Sequence, residues 1–434
     1  MKALRPNILY LHSHDTGRYI QPYGCAVPTP AYQRLAEQGM VFRRCFSAAP
    51  TCSASRAALL TGQAPHSAGM IGLAHRGFTL KDYSQHLVHT LRGAGYRSTL
   101  IGVQHVAPRA DLIGYDEVVP VASTHAKDVG PAAVDFLRRT PREPFFLSVG
   151  FFETHRDWDD LAAKADGRFV RPPATVPDTP VTRRDMAGFV EKARRLDAAV
   201  GDILDALDSA GLADRTLVLA TTDHGLAFPG MKCTLTDHGI GVFLILRGPG
   251  GFEGGRVSDA LVSHEDLFPT LCDLLGMAPP PWLQGTSLLP IVRGKKEEVR
   301  GELYAGVTYH AAYEPMRAVR TERWKYIRRF GGRTRPVLPN TDDSPSKTAW
   351  LEAGLAGRPV APEELYDLVF DPNEAHNLAA EPSAAKVLQD MRGRLERWMK
   401  RTDDPLLAGP VPAPKGAWFN DVDGLSPKEP GIIA

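Results

Sequence analysis

The sequence predicts an α/β fold: a mostly parallel sheet sandwiched by helices, followed by a smaller C-terminal α+β subdomain. Three observations predict it. Short apolar runs of strand length alternate with helical segments over residues 7–275. Four of those runs end in polar residues able to do chemistry, as strands do at the carboxyl edge of an open parallel sheet. Beyond residue 293 the alternation stops, and basic residues interleave with apolar ones as in an antiparallel strand.

The elements follow in order. Residues 7–11 are a short apolar strand running into His and Asp, and 30–39 a helix with a glycine stop. Residues 40–46 are extended, 55–62 a short helix, 84–93 another helix, and 98–102 a strand. The run PFFLSVG at 144–150 is a buried strand, 185–210 a long amphipathic helix, and 216–221 and 242–246 further strands. Residues 263–275 are helical. RAVRTERWKYIRRF at 317–330 reads as an exposed antiparallel strand, and 331–362, rich in Gly, Pro and Asp, as loop. Residues 384–400 form a closing helix, and the tail after Asp403 is expected to wrap the surface without regular structure. The division placed here is a catalytic domain at 1–300 and a subdomain at 301–434.

Bulk properties narrow the function. With 434 residues and 43% hydrophobic content, the chain can bury a large core. Lys plus Arg number 51 against 50 Asp plus Glu, a net charge of +1 that favours neither nucleic acid nor a membrane surface as partner. The opening MKALRPNILYLHSHD has too short an apolar run for a signal peptide, and nothing approaches a membrane span, so a cytoplasmic protein is expected. Five widely spaced cysteines without a CxxC pair read as reduced, mostly buried thiols.

One cysteine resists that reading. In TCSASRAALLTG, Cys52 stands at or just before the first turn of a helix, where free amides and the helix dipole favour negative charge, and Arg56 follows on the same face. The strand ends offer His14-Asp15, His105, His155-Arg156 and Asp223-His224-Gly225, carboxylates and imidazoles suited to a metal. Any one of these alone reads more simply as a hydrogen-bonded strand end or a capped helix; together they converge on one crevice.

These residues resemble the sulfatase family of the alkaline phosphatase superfamily. CSASR matches the family's C-x-(P/A)-S-R signature, which directs oxidation of the Cys to formylglycine, and ALLTGQAPH continues it. PNILYLHSHDTG, TPAYQRLAEQGMVFRRCFSAAP, TTDHG, VSHEDLFPTLCDLLG and EELYDLVFDPNEAHNLA are similar to further landmarks in family order, across nearly the whole chain. GMIGLAHRGF, GVQHVAP and FFETHRD look most like the sulfamidases (N-sulfoglucosamine sulfohydrolases) within it.

The resemblance implies a fold like that of alkaline phosphatase and a set of roles. Cys52, as formylglycine, would hydrate; one hydroxyl would attack sulfur and the other later help expel sulfate. Arg56 would hold the hydrate and the anion. Asp15, Asp223 and His224 would bind one divalent metal, with His14 beside them. His105 and His155 match histidines that contact the sulfate or move a proton, and Lys232 a lysine that touches the sulfate and the leaving oxygen. A maturation enzyme is implied as a partner, a small sulfated or phosphorylated compound as substrate. His75, Arg76 and His310 are candidates for leaving-group contacts, from the segments 72–78 and 309–317; ordinary surface loops are an equal reading.

Four positions depart from the family. His14 replaces an Asp, His224 an Asn, Ala54 a Pro and Val103 a Lys that bridges nucleophile and sulfate. The family's metal is calcium; two imidazoles favour manganese, zinc or iron. An Asp-His pair with the Lys missing also occurs in phosphonate and phosphodiester hydrolases of the superfamily. Three readings therefore stand: a sulfatase or sulfamidase, a phosphodiester or phosphonate monoester hydrolase, and a non-catalytic anion-binding relative.

Overall fold

Apolar side chains alternate across the first strand, so that strand must be covered on both faces. Ile8 and Tyr10 of β1 (Asn7–Ser13) enter one core, Leu9 and Leu11 the other. A computed structural model of the protein describes residues 5–434; residues 1–4 of the expected 1–300 domain lie outside them. The central sheet joins β1 to β2 (Met40–Phe46), β3 (Arg97–Gly102), β4 (Glu117–Val119), β5 (Phe145–Gly150), β6 (Thr216–Thr222), β7 (Gly241–Val242), β8 (Leu244–Arg247) and β9 (Arg256–Ser263). Its order is β4-β3-β5-β1-β6-β8-β2, with β7 also on β2 and β9 pairing parallel to β2. Only β7 and β8 run against the rest.

Helices cover both faces, as expected. α1 (Pro30–Gln38), α4 (Ala126–Arg138) and α5 (Pro180–Ser209) supply one core with Leu35, Val129, Leu196 and Ile203. α2 (Cys52–Thr61), α3 (Leu87–Gly93) and α6 (Leu267–Leu275) supply the other with Leu59, Leu91 and Leu271. Thr179 caps α5 in a reciprocal pair with Thr182, and Pro180 stands at its first position, so the helix starts earlier than its apolar pattern suggests.

The C-terminal part is an antiparallel sheet of β10 (Glu302–Tyr309), β11 (Tyr313–Thr321), β12 (Trp324–Arg329) and β13 (Glu363–Asp367). One face packs Leu303, Met316 and Ile327 on Phe46, Leu235 and Ile240; the other packs Tyr304, Val319 and Tyr326 on Leu388, Leu395 and Trp398. Three sequence expectations are corrected here. Residues 317–330 are not one exposed strand: they span the end of β11, a turn and β12, and their Arg317, Arg320 and Lys325 are buried. Their charges are matched internally, by Asp404 for Arg317 and by Asp237 for Arg320 and Lys325. The 331–362 loop contains α7 (Pro345–Glu352), capped by Ser344, and α8 (Ala385–Arg401) closes the sheet. The tail is not irregular throughout: β14 (Trp418–Asn420) pairs with β15 (Gly431–Ile433).

Candidate active site

The site grows from the carboxyl ends of neighbouring strands. β1 pairs in parallel with β6, Ser13 opposite Thr222, which brings Asp15 beside Asp223. The amides of Asp15 and His224 both donate to Asp223 Oδ1, at 2.8 and 2.9 Å. β3 and β5 run alongside and deliver His105 and His155. Asp15 and His105 hold positive φ, at 51° and 55°, a region non-glycine residues rarely adopt and one that costs of order 1–3 kcal/mol. At His105 the turn is locked by Gln104, whose side chain accepts from the amides of Val106 and Ala107 and donates to Ala107 O.

Cys52 stands at the first turn as expected; it is itself the first residue of α2, which starts three residues before 55, with Thr51 as the extended cap. Its Sγ lies 3.2 Å from His224 Nε2 and 4.0 Å from Asp15 Oδ1. His224 Nδ1 is 2.9 Å from Gly225 O, and a carbonyl only accepts, so Nδ1 carries a proton and, in the neutral imidazole, Nε2 presents a lone pair. That lone pair faces Asp15 Oδ1 at 3.2 Å, two acceptors with no proton between them. His14 Nδ1 is 3.0 Å from Asp223 Oδ2, yet is buried without a hydrogen bond. His14, Asp15, Cys52 and Asp223 each offer a ligand atom within 4.8 Å of the others. Facing acceptors, an unpartnered buried nitrogen and two carboxylates fit a divalent cation.

The surrounding charges are buried too. Lys232 Nζ donates to Asp15 Oδ2 at 2.9 Å and lies 3.4 Å from His155 Nε2, which must accept and so leaves its proton on Nδ1. Arg56 donates to Asp223 Oδ2 (3.0 Å), Ser13 O (2.8 Å) and His12 Nδ1. Burial works against ionisation of both carboxyls. Lys232, His155 and His224 outweigh it at Asp15, and His224, Arg56 and His14 at Asp223, so both titrate well below the usual range. Burial foremost pushes the Cys52 thiol well above its ordinary range; Lys232 opposes this, and Asp15 and Asp223 add to it. Burial, then Lys232, lowers His155 to about 4.

The remaining candidates divide. His75 Nδ1 stacks on and touches His105 Nε2 at 2.9 Å, and His310 is buried under the influence of Lys232. Arg76 does not line the site with them: its guanidinium donates to Ala311 O and Asn420 Oδ1 and lies 3.9 Å over the Trp418 ring. It holds the tail. Arg317, at the end of the 309–317 segment, is likewise spent inside the C-terminal sheet. Two site residues were not read from the sequence. His12, stacked on Tyr10 and bonded to Arg56, had one available signal, a polar residue on the same strand face two before His14. Asp342, 3.2 Å from Lys232, had none.

A model of the sulfatase family matches residues 6–277. The chain belongs to the sulfatase family. A second family model, for the C-terminal part of N-sulphoglucosamine sulphohydrolase, matches residues 231–346 of this sulfatase. The N-sulphoglucosamine sulphohydrolase of Homo sapiens is 30% identical, covering 94% of this chain and 93% of its own. An ulvan-active sulfatase of Formosa agariphila is 28% identical over 92% of this chain and 76% of its own. Among solved structures, a 2-O GAG sulfatase aligns with a TM-score of 0.75 at 23% identity, covering 94% of this chain and 95% of that one. The expected α/β fold with its small antiparallel C-terminal sheet is thus the sulfatase fold. Among the described residues, no helix is long and apolar enough to cross a membrane.

Proposed function

We propose that this family hydrolase cleaves small sulfate esters or sulfamates with a formylglycine made from Cys52, and that Asp15, Asp223, His224 and His14 hold one divalent metal. The observation that carries the reading is the place of Cys52: head of α2, 3.2 Å from the His224 lone pair and within one cluster with Asp15, Asp223 and His14. Formylglycine would supply the nucleophile and the metal positive charge for the transferring group. The chain's own residues do the rest. Arg56 fixes the Asp223 carboxylate and, through His12, the end of β1. Lys232 puts a permanent ammonium beside the sulfuryl position, where a fixed charge in a dry site acts most strongly. His155 stays neutral above about pH 4 and shares hydrogen-bond contact with Lys232, a route for a proton to the leaving atom. His105, bonded to His75, faces the same space.

Manganese or zinc should serve better than calcium, since two imidazoles stand in the ligand set. A cytoplasmic setting is part of the proposal, supported by five cysteines with no disulfide among them. A phosphodiester or phosphonate monoester hydrolase is the second reading, favoured by Val103, whose position continues β3 without adding a cation. The test is expression with a formylglycine-generating enzyme, peptide mass spectrometry at Cys52, metal analysis, and release of sulfate against release of phosphate from matched nitrophenyl substrates. Conversion at Cys52, one metal and faster sulfate release are expected. Unmodified Cys52 alongside a converted control sulfatase, or preferred cleavage of the phosphodiester, overturns it.

A further inference from the structure

Lys232 is shared between two carboxylates, and only one of them, Asp15, belongs to the metal cluster. The other is Asp342, in the loop before α7. Its Oδ2 lies 3.2 Å from Lys232 Nζ, wholly buried and without a hydrogen bond, yet the side chain keeps 19% exposure. The buried oxygen faces Lys232, and the exposed part of the side chain lies elsewhere on it. Lys232 bridges Asp342 and Asp15, so Asp342 stands one side chain back from the Cys52 cluster. The loop is fastened on both sides. Asn340 accepts from Ala312 N at 2.8 Å and donates to Glu314 at 2.9 Å. Lys347 Nζ donates to Thr341 O, Asp343 Oδ1 and, in the tail, Leu425 O, at 2.8, 2.9 and 2.6 Å. A carboxylate held this firmly is preorganised to select.

We propose that Asp342 is a specificity-determining residue: it favours a leaving group that carries a protonated amine near the scissile bond and repels one that carries a carboxylate or a second sulfate. In the metal-loaded site the metal answers Asp15 and Asp223, and the one Lys232 ammonium is then shared by Asp342 and the transferred sulfate, so a second cation is accommodated, whereas a second anion meets Asp342 in a site with little water. The proposal rests on the sulfatase reading above, and its test is separable from it. The full-length, metal-loaded Cys52→Ala protein is titrated calorimetrically with 4-(aminomethyl)phenyl sulfate and with 4-carboxyphenyl sulfate, ligands of matched size. The ammonium ligand should bind at least about tenfold tighter. Asp342→Asn in the same background should shrink that ratio to within about twofold. If Asp342 serves only to position Lys232, Asp342→Asn weakens both ligands together and leaves the ratio intact. A surviving ratio, equal binding before substitution, or no binding of either ligand overturns the proposal. Turnover of phenyl sulfate by the native enzyme, measured separately, bears on the sulfatase reading alone.

Discussion

Arg56–Asp223 in the active site and Arg317–Asp404 in the C-terminal sheet are both ion pairs with side chains at most 2% exposed, and they differ in what is left over. All five N–H groups of Arg317 are used: Nε and Nη2 on Asp404, Nη1 on Val307 O and Met316 O, and Nη2 again on Thr308. Arg56 leaves Nε without a partner, and beside Asp223 the His14 nitrogen stands 3.0 Å from Oδ2 without a hydrogen bond. Burial of charge is common to both regions and so does not mark function. Unfinished valence does: the closed pair needs nothing further, whereas the open one leaves an N–H of Arg56 without an acceptor and a nitrogen of His14 without a partner, as a site awaiting ligands would.

The largest expected effect breaks the open pair. Asp223→Asn keeps the size of the side chain but removes the charge that the proposed metal would need. Metal analysis should show loss of the ion, and sulfate release should fall by at least about a thousandfold. Full metal occupancy with normal activity would mean that the cluster is structural.

Breaking the closed pair should do the reverse. Asp404→Asn leaves Arg317 charged and buried, and denaturant titration should show a loss of about 3–5 kcal/mol. Turnover per folded molecule and metal content should not change. Replacing both partners, as Arg317→Met with Asp404→Leu, should restore most of the stability, because no uncompensated charge remains. A fall in kcat in either variant would show that the two regions are coupled.

Between these lies Lys232, whose ammonium contacts Asp15 and Asp342 and is the cation proposed to stand in for the one missing at Val103. Lys232→Ala should lower kcat/KM at least about a hundredfold, as for one charge contact in a water-poor site. A nearly silent substitution would show that the cation expected at residue 103 is replaced elsewhere.

Sequence order carried most of the parallel sheet, since β1, β5 and β6 are apolar runs ending in polar groups, and pairing of adjacent strands does the rest. It carried Cys52 because a short motif and a helix start coincide there. It could not carry Asp342 or the tail. Asp342 reaches Lys232 across 110 residues through a loop whose shape depends on Lys347, Asn340 and Leu425, and none of these contacts leaves a periodic trace. Arg317, Arg320 and Lys325 misled for a related reason. Alternating basic residues read as a solvated face unless the partners are known, and Asp404 and Asp237 lie 87, 83 and 88 residues away respectively.

The smallest expected effect tests whether a third buried acid is open or closed. Glu265 lies beside the Asp266–Arg300 pair, and Arg300 is already taken by Asp266. Burial raises the Glu265 carboxyl to about 7; Arg300 opposes the rise and Asp266 adds to it. The folded value lies above the ordinary 4.5, so between about pH 4.5 and 7 the folded state holds a proton that the unfolded chain has released. Its contribution is therefore fully present below 4.5 and lost as pH rises through 7. Glu265→Gln removes the titration while keeping an acceptor for Ser263, which now donates to it at 3.3 Å. Stability should be unchanged near pH 4 and rise by about 2 kcal/mol by pH 6, read as a flatter dependence of unfolding free energy on pH. Equal slopes for the two proteins would mean that Arg300 serves both acids, and that this site, like Arg317–Asp404, is closed.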